Sequence, residues 1–221
     1  MPPRGGCIMT REPKRKMKFE FSSLIKKYGD KVAVDGFSYV FDIMPGKRLA
    51  VCGPSGCGKS TILSIISGLD KDYSGSFAFT GGEPRISLSM QDPTLLPWLT
   101  AAENVNLVTG DRRESLETAR GILRELGLAG HENDYPDELS GGMQTRVSIA
   151  RALAREADLY LFDEPFAALD IATAELCIEV IKRRTAHAAA IAVIHSRTVA
   201  EKFADGILTF TSVPAGRYTL G

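Results

Sequence analysis

GPSGCGKS, Gly53–Ser60, followed by Thr61, is the stretch whose reading decides the fold. It fits the phosphate-binding pattern G-x-x-x-x-G-K-[ST], with Gly53, Gly58, Lys59 and Ser60 in the fixed places and Pro54, Ser55, Gly56 and Cys57 between them. Glycines let the backbone curl until several N–H groups face one anion, which a side chain would obstruct. A lysine at the seventh position supplies a point charge for the β- and γ-phosphates, and the hydroxyl after it can ligate Mg²⁺. Arg48–Cys52 reads as a short buried strand entering the loop. Ser60–Gly68 reads as a helix leaving it, which adds its dipole to the anion site. Strand, loop and helix stand in the required order, so these residues predict that a nucleoside triphosphate binds here.

The rest of the chain bounds that reading. Its 221 residues suffice for one α/β domain with an inserted subdomain. The 27 basic residues balance the 27 acidic ones, so no broad basic face speaks for nucleic acid as a partner. No apolar run approaches the roughly 18 residues that would read as a membrane span. Cys7, Cys52, Cys57 and Cys177 lack metal-ligand spacing and are expected as reduced thiols in a cytosolic protein. Residues 1–17, rich in arginine and lysine, are expected to form a flexible leader without the apolar core of an export signal. Three readings stay open for that leader: simple disorder, a translation start upstream of the true one near Met17, or a basic arm for anionic lipid.

Ordered structure is expected to begin at Lys18–Phe21. Lys26–Gly53 alternates short apolar runs with Gly-containing turns, an antiparallel β-layer feeding the phosphate-loop strand. Tyr28, beside the first turn, is either an exposed ring able to stack on a base or an edge-strand core residue. Asp70–Arg85 reads as polar and turn-rich. Ile86–Met90 reads as a strand delivering Gln91, and Pro93 and Pro97 break the apolar run after it. The stripe Leu95, Leu96, Trp98 and Leu99 is then core or a docking surface. Thr100 with Glu103 makes a capping box, Arg112–Leu126 is a helix stopped at Gly127, and Ser140 caps a third helix with a glycine-rich first turn. Residues of about 93–150 are thus a helical insertion. Leu159–Phe162 is a buried strand that ends in Asp163 and Glu164, placing two carboxylates at the C-terminal sheet edge, where ligands of parallel sheets bind. A helix over 173–184, a strand over 190–194 ending at His195, a short helix over 198–203 and a last strand over 207–210 follow. His131 and His187 lie outside any motif and are expected at the surface. The tail from Ser212 is too short for a regulatory domain.

From Leu139-Ser-Gly-Gly-Met143 onward, the order of motifs becomes specific. Phosphate loop, LSGGM, apolar strand plus Asp-Glu, Ala168-Leu169-Asp170 and a late strand ending in histidine occur in sequence. The chain resembles the nucleotide-binding subunits of ATP-binding cassette (ABC) transporters, most closely the nitrate/sulfonate/taurine importer ATPases, from about Phe19 to Phe210. The resemblance implies an α/β fold: a P-loop NTPase core with an antiparallel β-subdomain and an inserted α-helical subdomain, all one domain over 18–221. It further implies that ATP is bound by Tyr28 on the adenine and by Gly53, Pro54, Ser55, Gly56, Cys57, Gly58, Lys59, Ser60 and Thr61 on the phosphates. Mg²⁺ would be held by Ser60, Gln91 and Asp163. Glu164 would be the general base, with Gln91 and His195 at the γ-phosphate. Ser140, Gly141, Gly142 and Asp170 would serve the nucleotide of a second, head-to-tail copy. The implied partners are that second ATPase subunit, transmembrane permease subunits and, indirectly, a solute-binding protein, with the chain peripheral on the cytoplasmic face of the membrane. A soluble ABC-type ATPase clamping nucleic acid or ribosomes is the alternative. The chain departs from the family pattern in places: methionine closes LSGGM where glutamine is commoner, Gln144-Thr145-Arg146 differs mildly from the usual basic pattern, Ser196 stands where an acidic residue usually follows the histidine, and the helix after it matches loosely.

Overall fold

The computed structural model describes residues 16–109 and 113–221. The expected leader therefore falls almost wholly outside the described residues, and Met17 already belongs to the first strand.

Two sheets face each other. The smaller is antiparallel, ordered β2-β1-β4, from β1 (Met17–Tyr28), β2 (Lys31–Ile43) and β4 (Ser74–Thr80). The larger contains β3 (Arg48–Cys52), β5 (Ile86–Ser89), β6 (Leu159–Asp163), β7 (Ala189–Val193), β8 (Gly206–Phe210) and β9 (Tyr218–Leu220), in the order β5-β6-β7-β3-β8-β9. Its first five strands are parallel, and β9 closes the edge antiparallel to β8.

Parallel strands covered on both faces should be apolar at every position, with alternate residues feeding different cores. This sheet does so. Leu49, Val51, Leu159, Leu161, Ile191 and Val193 face the core shared with the small sheet, where Phe19, Phe21, Phe37 and Phe41 pack. Ala50, Tyr160, Phe162, Ala190 and Ala192 face the opposite core, made with helices. α1 (Lys59–Ile66) lies between the sheets; α2 (Ala101–Asn106), α3 (Arg113–Glu125), α4 (Gly141–Ala154), α5 (Ile171–Arg184) and α6 (Arg197–Phe203) lie on the other side.

The capping box expected at Thr100 is formed in both directions, Glu103 N–H to Thr100 Oγ1 and Thr100 N–H to Glu103 Oε2. Gly127 takes φ +73° just past α3, the left-handed stop a glycine supplies. Two segments differ from expectation. The stretch read as turn-rich contains β4, because Phe77 and Phe79 alternate onto the Phe19/Phe21 cluster, Phe77 stacking on Phe21 at 4.7 Å between centroids. The short tail contains β9, paired with β8.

Candidate functional site

The strand order builds the site. Because β5, β6, β7 and β3 are neighbours running the same way, the segments leaving their C-terminal ends stand in a row. That row reads Gln91, then Asp163 and Glu164, then His195, then the loop from Gly53. Chain positions far apart arrive together for this reason alone.

Within the loop, Gly53, Gly56 and Gly58 take φ of +143°, +72° and +104°. Gly58 is doubly required, since a Cβ there would stand 2.3 Å from the Ala33 carbonyl oxygen. Lys59 is buried, its ammonium donating to the carbonyls of Gly53 (3.1 Å) and Pro54 (2.8 Å). Ser60 Oγ donates to Asp163 Oδ1 at 3.0 Å, and burial pushes the Asp163 carboxyl above its ordinary range. Thr61 follows on the first turn of α1. The Cys57 carbonyl accepts from the backbone N–H of Ala215 (2.7 Å), and Asp35 N–H donates to the Ala215 carbonyl (2.7 Å). A tail segment thus braces the loop against β2.

Glu164 adopts φ +50°, a left-handed conformation that costs a glutamate free energy unless its surroundings hold it. Its Oε1 lies 2.6 Å from His195 Nε2, with the glutamate side chain 15% and the histidine 44% exposed. Beside the pair opens a cleft of about 460 Å³, rimmed by Phe166, Leu169, Ile171 and Val199. Ile171 is 78% exposed there, an apolar side chain facing solvent at the mouth of a charged site.

Ser140 caps α4, accepting from Met143 N–H, with Gly141 and Gly142 in the first turn. Gly142 packs so closely that a Cβ would meet the Ala168 carbonyl oxygen at 2.9 Å. Asp170 caps α5, accepting from the backbone and hydroxyl of Thr173, which hold its carboxyl below the usual range. Ser140–Gly142 and Ala168–Asp170 therefore form one unit. Among the described residues no hydrogen bond or ion pair joins that unit to the phosphate loop.

Tyr28 is half exposed, its hydroxyl donating to Asp70 (3.0 Å) and the Lys26 ammonium 4.7 Å from its ring centre. It pairs with Lys31, two residues before the Ala33 that packs on Gly58. In the stripe after Gln91, Trp98 is 69% exposed while Leu95, Leu96 and Leu99 are partly covered.

The donor set suits a hard, oxygen-loving dication. Ser60 and Asp163 offer one hydroxyl and one carboxylate, and no cluster of three or more His, Cys, Asp or Glu occurs among the described residues. Magnesium is bound in that way, by one or two protein oxygens with the remaining positions left to phosphates and water.

Sequence reasoning missed Arg151 and Ala215. Arg151 carried a signal, a cation set among the apolar residues of Ile149–Leu153. Ala215 carried none.

The family profile described as ABC transporter matches residues 38–167. The chain is 40% identical over 198 residues to the aliphatic sulfonates import ATP-binding protein SsuB 2 of Burkholderia lata, covering 86% of this chain and 71% of that protein. It is 36% identical over 210 residues to the aliphatic sulfonates import ATP-binding protein SsuB 1 of Mesorhizobium japonicum, covering 91% and 77%. Among solved structures, a dimeric post-hydrolysis state of the ATP-binding cassette MJ0796 bound to ADP and Pi superposes with a TM-score of 0.78 at 28% identity, over 91% of this chain and 97% of that one. A second dimeric structure of that bacterial ABC transporter cassette gives 0.75 at 30% identity, over 86% and 93%.

Proposed function

This chain belongs to the ABC transporter family as an ATP-hydrolysing cassette, and on that premise we propose that it powers a membrane importer as one of two head-to-tail ATPase subunits. One observation carries the dimer. The row Gln91–Asp163–Glu164–His195–phosphate loop is a half-site, and among the described residues no hydrogen bond or ion pair brings Ser140–Gly142 of the same chain to its phosphate loop. A transferring phosphoryl group needs its charge met from several sides. A second copy supplies the missing side with its own Ser140, Gly141 and Gly142, and its Asp170 loop lines the seam. The exposed Ile171 at the cleft mouth is the apolar surface such a partner would cover.

In that arrangement Lys59 leaves the Gly53 and Pro54 carbonyls for the phosphate oxygens, and Tyr28 lies against the base. Ser60, Asp163 and Gln91 would hold Mg²⁺, which when bound would neutralise phosphate charge. Glu164, pinned by His195, accepts the proton of the attacking water. The water oxygen bonds to the γ-phosphorus, the bond from that phosphorus to the bridging oxygen breaks, and ADP and inorganic phosphate leave. Loss of the γ-phosphate removes the link between copies, a switch between two arrangements. The permease partners would read that switch at the face carrying Trp98, placing the chain at the cytoplasmic face of the membrane. Import, with a solute-binding protein upstream, is supported by relatives named for import.

Glu164→Gln tests the reading. We expect Mg²⁺-dependent hydrolysis to fall by at least about 100-fold while ATP binding persists and gel filtration shows a dimer only with ATP. Equal hydrolysis by wild type and variant would remove Glu164 from the role of base.

A further inference from the structure

The signature helix α4 grips the segment carrying Gln91 on both sides. Before Gln91, Ser87 Oγ donates to the Ala152 carbonyl (2.8 Å), and the Ser89 and Ser148 hydroxyls share a hydrogen bond (3.0 Å). After it, Arg151 spreads its guanidinium over the loop, donating to the carbonyls of Pro93 (2.7 Å) and Thr94 (3.1 Å). These partners are neutral. Among the described residues no carboxylate pairs with Arg151, and burial alone depresses its basicity. A part-buried cation without a counter-charge weakens a fold more often than it helps one. Two further features indicate that the loop is held in a set shape. Thr94 sits at φ +43°, a conformation a β-branched residue avoids, and Asp92 Oδ1 accepts from its N–H on the side away from Arg151. Downstream, fully buried Asn104 takes the N–H of Leu96 and donates to the carbonyls of Leu96, Leu99 and Thr100.

We infer that Arg151 is a positioning residue for hydrolysis, locking the Gln91 loop to the helix whose other end presents Ser140 to the opposite copy. The two ends are about 16 Å apart along α4. A shift of Ser140 against a partner's nucleotide is then a shift of Gln91 in its own site, without any intervening hinge. A bidentate guanidinium can do this because two fixed donors match two successive carbonyls; an ammonium offers one point charge. The inference rests on the roles proposed above for Gln91 and Ser140.

The experiment is a double-mutant cycle in the full chain with Arg151→Ala, Gln91→Ala and the pair. It reads kcat, KM and the Kd of a fluorescent ATP analogue below the melting temperature. Arg151→Ala is expected to lower kcat about tenfold, or roughly 1.4 kcal/mol of barrier, with Kd unchanged within about twofold, and the double variant is expected to fall no further than Gln91→Ala alone. A variant that merely melts earlier, at wild-type kcat, overturns the inference; so do losses that multiply in the pair. Should Arg151→Ala fail to fold, Arg151→Lys keeps stem and charge and must still lose at least about threefold in kcat, an unchanged value overturning the inference. If Gln91→Ala itself hydrolyses like wild type, the site assignment has failed, and the role of Arg151 fails with it. A normal Arg151→Ala beside a crippled Gln91→Ala rejects Arg151 alone.

Discussion

Asp163 shows at the residue scale how function opposes stability. Its carboxylate is part-buried beside Glu164, and burial raises its pKa against the lowering effect of the Ser60 hydrogen bond. A raised folded-state value means that stability is lost as pH rises above the ordinary carboxylate value, so the cost is present at neutral pH. Asp163→Asn keeps an acceptor for Ser60 without the charge. The nucleotide-free variant should therefore melt later, by on the order of 1 kcal/mol, while Mg²⁺-dependent hydrolysis is lost. A lower melting temperature would show that the carboxylate stabilises the empty site. Glu164 illustrates the same trade: its left-handed backbone is held in place by the 2.6 Å contact with His195. The identity of both carboxylates was legible from the strand that precedes them. Their environment was not, because strain and burial depend on residues 30 positions away and more.

Among the elements, α3 and α5 are joined by one carboxylate serving two cations. Glu125 accepts from Arg184 through two nitrogens (2.8 and 2.7 Å) and from Arg183 (2.8 Å). Arg184 first, then Arg183 against the opposing effect of burial, holds the Glu125 carboxyl below its usual value. A depressed folded-state value gives stability that is present above the ordinary glutamate value, about 4.3, and lost as pH falls through the depressed one. Glu125→Gln should cost about 0.5–1 kcal/mol at pH 7, because a side chain 35% exposed is screened by solvent. Urea titrations at a series of pH values from 7 downward check this; a gap that does not shrink as pH falls below the ordinary glutamate value would refute it. Elements themselves were legible where one local signal sufficed. The Thr100 capping box, the Gly127 stop and the apolar runs of β3, β6 and β7 each specified their element without help from elsewhere. β4 was hidden because Ser74, Gly75 and Ser76 look like a turn, and only the aromatic cluster on β1 makes Phe77 and Phe79 a strand face. β9 was hidden because three residues have no periodicity to read.

Across the whole molecule, the tail matters to the nucleotide loop far from it in sequence. Ala215 is buried between Cys57 and Asp35, and Gly216 follows where a Cβ would stand 2.1 Å from the Asp35 carbonyl oxygen. Gly216→Ala should displace that brace and weaken binding of a fluorescent ATP analogue roughly tenfold, the loss of about one backbone hydrogen bond. Unchanged affinity would mean the loop keeps its shape unaided. The brace also has a bearing on synthesis. Ribosomes add about 5–20 residues per second, and about 160 residues separate Cys57 from the residue that holds it. For roughly 10–30 s each nascent chain carries a complete nucleotide motif without its clasp, so the motif emerges early and the nucleotide site matures late.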